Sequence, residues 1–176
     1  MWNKIIIIFL FFSITNSFAQ KEGWIADFPK AFELSIEEEK PILANFTGSD
    51  WCGWCIKLDK QVFQTEAFKN WAEENVILLE LDFPRRKKLD PEMENNNKYL
   101  QQVFQVRGFP TIWIFTVNQQ EDKKFSINAQ IDERGQGWQK MSYMSSPEAF
   151  VQKAETIIKN INSVFTNDEI LKEPIE

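Results

Sequence analysis

The chain has 176 residues, a length that fits one domain better than two. It carries 26 acidic and 20 basic residues, which gives a formal net charge of −6 at pH 7. This acidic balance argues against a nucleic-acid partner, because a phosphate-binding surface needs concentrated Lys and Arg. There are two cysteines and no histidine, so a Ser-His or Cys-His nucleophilic site is excluded in its usual form.

The first 19 residues are typical of a secretory signal peptide. Lys4 precedes an apolar run over residues 5–12, and polar and small residues follow as far as Ala19. The run is short for a membrane span, which needs about 20 mostly apolar residues. We therefore expect cleavage after Ala19 and a periplasmic or secreted mature chain. The alternative interpretation is an uncleaved amphipathic or anchor helix.

The rest of the chain alternates between helical and strand patterns. Apolar residues at helical spacing predict helices, and short apolar runs bounded by Pro or Gly predict buried strands. In chain order, the predicted elements are a helix over 31–40, a strand over 42–47, a helix from Cys55 that continues after a cap at Thr65, a strand over 76–82, a short helix over 99–104, a strand over 112–117, a turn over 118–124, a returning strand over 125–127, and a final helix capped by Ser146 with an apolar face from Phe150 to Ile161.

One charged segment is predicted to be exposed. Residues 83–97 are charged and amide-rich, which predicts a loop. This loop contains the basic run over residues 85–88, and Asp90, Glu92 and Glu94 follow it closely. We interpret the run as part of a solvated loop rather than as a binding patch.

Both cysteines lie in one short motif, Trp51-Cys52-Gly53-Trp54-Cys55. A disulfide between them closes a very small loop, for which the chain-entropy model predicts little stabilisation. Reversible redox exchange is therefore a better interpretation than a structural crosslink. A structural zinc site usually has four Cys or His ligands, and this chain offers two. We expect no metal site and no cofactor.

The motif and its setting resemble the thioredoxin superfamily. The C-x-x-C lies between a predicted strand and a predicted helix, Trp51 precedes it, and Gly108-Phe109-Pro110-Thr111 introduces a later strand. The run from Thr47 to Cys52 and the preceding Lys40-Pro41-Ile42 are most similar to exported, single-domain thioredoxin-like proteins of bacteria. The resemblance extends over about residues 24–161. It implies a three-layer α/β/α sandwich with a central mixed sheet, which we assign to residues 20–165, followed by a polar tail over 166–176.

The likeness also implies roles for the site residues. Cys52, at the start of a helix, is the expected nucleophile, because helix N–H groups and the helix dipole favour its thiolate. Cys55, about one turn further on, would resolve the mixed disulfide. Pro110 would be cis, and the backbone of Phe109 would pair with an extended substrate segment.

The remaining predicted substrate-binding residues are Trp51, Gly53 and Trp54. We favour packing with some shaping of the site for Trp51, and exposure to a partner for Trp54. Two positions depart from the best-known thioredoxins: Trp54 stands where many members have Pro, and Asn45 stands where cytosolic members have a buried acid. The redox poise therefore does not carry over from the family, and a proton relay to Cys55 is in doubt.

The expected function is disulfide exchange with exported proteins, in the reductase or isomerase direction. Because the compartment is oxidising, such a protein needs a reductant, which we expect to be a membrane electron-transfer partner. The alternatives are a dithiol oxidase and a non-catalytic module that holds clients through Trp54 and the Phe109 backbone.

Overall fold

The computed structural model describes residues 21–120 and 125–170, with side chains described as far as Val164. The predicted signal peptide lies outside these residues. Within the described part of the chain, no helix combines the length and apolar character needed to cross a bilayer.

A mixed sheet forms the centre of the domain. Its described strands are β1 (Trp24–Ile25), β2 (Ile42–Thr47), β3 (Ile77–Asp82), β4 (Thr111–Gln119), β5 (Phe125–Asn128) and β6 (Lys140–Met141). The spatial order is β1-β3-β2-β4-β5, and β6 also pairs with β4. β1 and β2 run parallel to β3, whereas β4 is antiparallel to β2, β5 and β6. The predicted mixed sheet is confirmed.

Helices cover both faces of this sheet. They are α1 (Phe28–Glu37), α2 (Gly53–Leu58), a π-helical segment (Asp59–Phe63), α3 (Glu66–Asn75), α4 (Pro91–Val103) and α5 (Pro147–Ile170). Buried residues of α2, the π-helical segment, α3 and α5 share one core cluster, and those of α1 and α4 share the other. The domain is therefore the predicted α/β/α sandwich.

The central strand β2 sets the position of the cysteine motif. All six of its residues are buried, because neighbouring strands flank it and helices cover both faces. Leu43 packs on the α2 side, while Ala44 and Phe46 pack on the α1 side. Since side chains alternate along a strand, Asn45 lies on the same face as α2. The chain leaves β2 at Thr47 and enters the cysteine loop directly.

Two predicted helix starts are confirmed by their caps. The Thr65 hydroxyl accepts a hydrogen bond from the Phe68 N–H at 3.3 Å, and α3 follows. The Ser146 hydroxyl accepts from the Ala149 N–H at 3.2 Å, and α5 begins at Pro147. Each cap satisfies a backbone donor that a helix start leaves free.

The predicted loop over residues 83–97 is wrong in its second half, because α4 begins at Pro91. Asp90 caps the helix by accepting a hydrogen bond from the Glu92 N–H at 2.9 Å, and proline suits the first helical position. Burial of Asn97 and Leu100 anchors the helix to the sheet. The Asp-Pro-Glu signal was present in the sequence, but the polar composition obscured it.

Other differences concern the ends of elements. α1 begins at Phe28, because Asp27 accepts from the Lys30 N–H at 3.1 Å, and it ends before residue 40. α5 continues to Ile170, so residues 166–170 extend the helix where a polar tail was predicted. β4 extends into the predicted turn as far as Gln119, and residues 121–124 and 171–176 lie outside the described chain. The two-residue strands β1 and β6 were not predicted, since so short a run has no recognisable period.

Candidate active site

The two cysteines form a disulfide at the start of α2, with their Cα atoms 5.2 Å apart. Cys52 is the N-cap residue, and the backbone N–H of Cys55 donates to the Cys52 Sγ at 3.2 Å. Both residues are nearly covered: Cys52 is 7% exposed and Cys55 is 4% exposed. The sulfur atom with a helix N–H directed at it therefore belongs to the more accessible residue of the pair.

Asp82, the last residue of β3, fixes the loop that leads to the cysteines. Its buried carboxylate accepts from the Ser49 backbone N–H at 2.8 Å and from the Ser49 hydroxyl at 2.7 Å. It also forms an ion pair with Lys87 at 2.8 Å, and its carbonyl accepts from the Asn97 side chain at 2.9 Å. One acid thus ties three segments together. Sequence reasoning missed Asp82, although an acid that ends an apolar strand is a usable signal.

Trp51 connects the cysteine loop to the proline loop. Its indole N–H donates to the Phe83 carbonyl at 2.8 Å, and its ring meets the Phe109 ring edge-on at 6.0 Å. Phe109 in turn stacks on Phe83 at 5.0 Å. The Arg85 guanidinium lies 3.7 Å from the centre of the Trp51 ring. These contacts match the packing and site-shaping interpretation of Trp51.

Gly48 provides the space in which Trp51 sits. A Cβ added at Gly48 would lie 2.6 Å from the Trp51 ring. Since the ring is held by Phe83 and Phe109, it has no free direction in which to move. We expect Gly48→Ala to destabilise the protein by about 1–3 kcal/mol, the usual cost of overpacking. A shift of tryptophan fluorescence and a chemical denaturation curve check this. Gly53→Ala is the control, since nothing lies within 4 Å of its added Cβ, and an equal cost for both variants would contradict the prediction.

The proline loop has the geometry that the resemblance implies. The Phe109–Pro110 peptide bond is cis. Pro110 is buried and Phe109 is half-buried. The next residue, Thr111, pairs with Phe46 across β2 and β4, so the loop lies at the end of the sheet where β2 delivers the chain to the cysteines.

Trp54 is the most exposed aromatic residue at the site, with 56% of its surface accessible. The Tyr143 ring packs on it at 4.9 Å, and the Lys57 ammonium lies 4.5 Å from its ring centre. The Tyr143 hydroxyl is held by Gln61 at 2.7 Å. Exposure of Trp54 agrees with the sequence prediction. Tyr143 was missed, because only the tertiary fold brings residues so far apart in sequence together.

The basic run is exposed as predicted, but it is also held against the site. The Asp50 carboxylate accepts backbone hydrogen bonds from Arg85 at 3.0 Å, Arg86 at 2.7 Å and Lys87 at 3.3 Å. The Arg85 hydrogen bond contributes most to holding the pKa of Asp50 below its usual value. Asp50 directly precedes Trp51, so it joins the basic loop to the cysteine motif.

A group of polar residues lies beneath α2 and the π-helical segment. Asn45 is buried, and its Oδ1 has no hydrogen-bond partner among the described residues. Its register partner on β3 is Glu80, whose pKa is raised by burial. Lys21 pairs with Asp59 and lies 4.6 Å from the Trp24 ring centre. Sequence reasoning missed Glu80, the half-buried acid one strand away from Asn45.

Burial also lowers the pKa of Lys21 from 10.5 to about 8, against the attraction of Glu80. Between these two values the unfolded chain holds the proton more strongly than the folded chain, so stability rises with pH. We expect the free energy of unfolding to increase by at most about 3 kcal/mol from pH 8 to pH 10.5. Lys21→Met should remove this increase. Denaturant curves at several pH values check it, and an unchanged pH profile in Lys21→Met would contradict the assignment.

Glu80 has the opposite effect on the pH dependence of stability: it makes the free energy of unfolding fall as the pH rises. Its folded pKa is raised, so its contribution is present at low pH and is lost as the pH rises through the folded value. The Glu80 effect is therefore separated from the Lys21 effect by comparing the acid and alkaline limbs of the same profile.

Among the described residues, no group of three or more Cys, Asp, Glu or His side chains is placed to hold an ion. A cleft of about 920 Å³ lies between β1 and α3, and neither cysteine lines it. The disulfide therefore lies outside that cleft, among the loops at the end of β2.

Comparison with known proteins agrees with this geometry. Residues 28–124 match the model of the Thioredoxin-like domain family. The disulfide bond reductase DsbH of Chlamydia pneumoniae is 39% identical over 85 residues, which are 48% of this chain and 51% of that protein. The thioredoxin-related protein DsbJ of the same organism is 28% identical over 101 residues, which are 56% of this chain and 28% of that protein. The chain spans about half the length, or less, of these curated relatives.

Superposition on solved structures shows which folds the chain resembles. The structure of a DsbH oxidoreductase superposes with a TM-score of 0.61 at 31% identity, covering 77% of this chain and 83% of that one. A thioredoxin from Thermus thermophilus superposes with a TM-score of 0.54 at 11% identity, covering 80% and 90% respectively, which is a likeness of fold alone. The family model covers more than half of the sequence. The chain therefore belongs to the thioredoxin-like domain family, in the group of thiol–disulfide oxidoreductases that includes the DsbH oxidoreductase.

Proposed function

We propose that this protein exchanges disulfides with exported proteins and works as a reductase or isomerase. The observation that carries the proposal is the Cys52–Cys55 disulfide at the start of α2, with a helix N–H directed at the Cys52 sulfur. The relative named as a disulfide bond reductase supports the reducing direction.

The exchange has two steps. In the reduced protein, the Cys52 thiolate attacks one sulfur of the substrate disulfide, which forms a mixed disulfide and releases the other substrate sulfur as a thiolate. The Cys55 thiolate then attacks the Cys52 sulfur and releases the second substrate thiolate. The protein is left with the Cys52–Cys55 disulfide. Two electrons have passed to the substrate, while the two thiol protons of the reduced protein have gone to solvent, from which the two substrate thiolates take up protons.

The order of attack follows from the placement of the two sulfurs. The Cys55 N–H, 3.2 Å from the Cys52 sulfur, stabilises negative charge there once the disulfide is open. Cys55 lies one turn further into the helix and is the less exposed of the two. Cys52 is therefore the attacking residue, and Cys55 resolves the intermediate.

Substrate contact involves the surfaces around the sulfurs. Trp54 offers an exposed apolar ring, and Trp51 positions Phe109. An extended substrate segment would pair with the Phe109 backbone beside Pro110, in the manner of an added strand. Gly53, exposed between the cysteines, leaves room for the substrate backbone.

The compartment and the reductant are part of the proposal. The signal-like segment over residues 1–19 supports export. Since disulfides persist in oxidising compartments, repeated turnover there needs an electron source. A membrane electron-transfer protein with an exposed dithiol is the partner whose chemistry fits.

The reduction potential tests the direction. Equilibration with glutathione buffers should give a value between about −270 mV, as in thioredoxin, and about −180 mV, as in protein disulfide isomerase, rather than about −120 mV, as in a strong dithiol oxidase. A value at the oxidising end would contradict the reductase and favour the oxidase. Insulin reduction by the wild-type protein provides the matching activity readout.

A non-catalytic client-binding module is the alternative from another class, and the exposed Trp54 is the observation that favours it. This alternative predicts that a Cys52→Ser/Cys55→Ser variant binds unfolded clients as tightly as wild type and that wild type reduces none of them.

A further inference from the structure

Several positively charged side chains lie around the disulfide, although the chain as a whole is acidic. The formal net charge is −6. Three separate segments nevertheless place cations at the site. Lys57 lies over Trp54, Arg85 lies over Trp51, and exposed Arg107 stands two residues before Phe109. Charges of one sign around a site attract partners of the opposite sign and raise their local concentration.

The basic loop over residues 85–88 is the largest contributor, and its backbone is fixed. The Asp50 carboxylate accepts three successive N–H groups from this loop, and Lys87 pairs with buried Asp82. Arg85 is held on the Trp51 ring. The exposed side chain of Arg86 is therefore held next to the cysteine motif at low cost in backbone entropy, and exposed Lys88 directly follows the fixed segment.

The acidic residues nearby have other partners. Asp50 binds backbone N–H groups, Asp82 binds Ser49 and Lys87, and Asp90 caps α4. Arg86 attracts Asp50 at longer range, and Asp132 pairs with Arg134. Within the described residues, no carboxylate forms an ion pair with Arg86, Lys88 or Arg107. Their charges are available to a ligand.

We propose that Arg86 and Lys88, together with Lys57 and Arg107, form a docking surface for an acidic segment beside the reacting disulfide of a protein substrate. This inference rests on the proposed exchange function and adds a substrate class to it. Since screening in physiological salt acts over about 8 Å, only Asp or Glu residues within a few positions of the substrate cysteine are recognised. The surface raises the rate of productive encounter rather than changing the exchange chemistry.

The test uses two synthetic peptides that contain one intramolecular disulfide. They are identical except that the two residues flanking one cysteine are Glu in the first peptide and Gln in the second. The wild-type protein, reduced and freed of reductant, is mixed with each peptide, and the change in tryptophan fluorescence gives the rate. Each rate is divided by the rate with dithiothreitol, because flanking Glu residues also change the intrinsic reactivity of the peptide.

At low salt, the Glu peptide should react on the order of tenfold faster than the Gln peptide. In 1 M salt, where screening acts over about 3 Å, the ratio should fall close to one. The Arg86→Gln/Lys88→Gln variant should lower the low-salt ratio to about threefold or less. The matched control is Lys153→Gln/Lys159→Gln, which removes two exposed charges from α5 and should retain the wild-type ratio.

The outcomes separate the two proposals. Equal normalised rates for the two peptides would overturn the docking surface and leave the exchange function standing. A ratio that stays near its low-salt wild-type value in 1 M salt or in Arg86→Gln/Lys88→Gln would also overturn the docking surface. If the reduced wild-type protein reacted with neither peptide and did not reduce insulin, both proposals would be wrong.

Discussion

Cys52→Ser is expected to reduce disulfide exchange to the background rate, a loss on the order of a thousandfold or more. The chain has two cysteines, and the other one, Cys55, is the less exposed of the pair. No third thiol is therefore present to replace the lost nucleophile. Insulin turbidity with dithiothreitol as the electron source measures the rate.

Cys55→Ser should behave differently. Its Cys52 thiolate still attacks the substrate, but no second thiolate lies one helical turn away to release it. Mixed disulfides should therefore accumulate, and mass spectrometry of proteolytic fragments should locate them on Cys52. Equal activity of both single variants and wild type would contradict the catalytic assignment. Attachment of clients at any other residue would contradict the choice of nucleophile.

Phe63→Ala is expected to destabilise the folded protein more than Gly48→Ala does. Phe63 ends the π-helical segment that follows the active-site helix and is almost fully buried. Its ring centre lies 5.1 Å from that of Trp24, 4.9 Å from that of Phe68 and 5.4 Å from that of Phe150. Removing the ring leaves a cavity among three rigid aromatic side chains, with an expected cost of about 3–5 kcal/mol.

Thermal unfolding of the oxidised protein checks this expectation. For a domain of this size, such a loss should lower the melting temperature by roughly 10 °C. Tyr99→Ala is the matched control, because Tyr99 is 57% exposed on α4 and its removal should cost within about 0.5 kcal/mol. A similar melting temperature for both variants would show that the cluster around Phe63 does not support the active-site helix.

Phe63 lies at the end of the helical segment that begins beside the disulfide, so its loss is expected to affect the disulfide as well as stability. The chain runs without interruption from Gly53 through α2 to Phe63. The aromatic cluster therefore holds the far end of the same helical segment whose first turn holds the disulfide. A variant that loosens the cluster should also raise the reduction rate of the disulfide by dithiothreitol, since the sulfurs gain access to solvent.

The central strands were predicted well from local patterns, because a strand buried on both faces must be a short run of mostly apolar residues. β2 has the predicted bounds, and β3 begins one residue later than predicted. The caps at Thr65 and Ser146 could also be predicted, because each cap bonds to a residue within four positions along the chain. The start of α4 was not predicted, because the amide-rich composition of this segment is typical of a loop, although Asp90 and Pro91 form a helix-start signal.

Composition and residue spacing are enough to identify the available chemistry. Two cysteines at C-x-x-C spacing and the absence of histidine are composition, and they do not depend on the fold. The strand before the motif and the Gly-x-Pro-Thr segment then indicated the architecture, which the structure and the comparisons confirm.

The surroundings of the disulfide depend on contacts between segments that are distant in the sequence. Tyr143 meets Trp54, Asp82 anchors the cysteine loop, and Asp50 holds the basic loop against the site. Asp82 and Asp50 act across more than thirty residues of sequence, and Tyr143 across still more. No local period or spacing encodes such contacts, because they arise where the ends of different strands meet at one edge of the sheet.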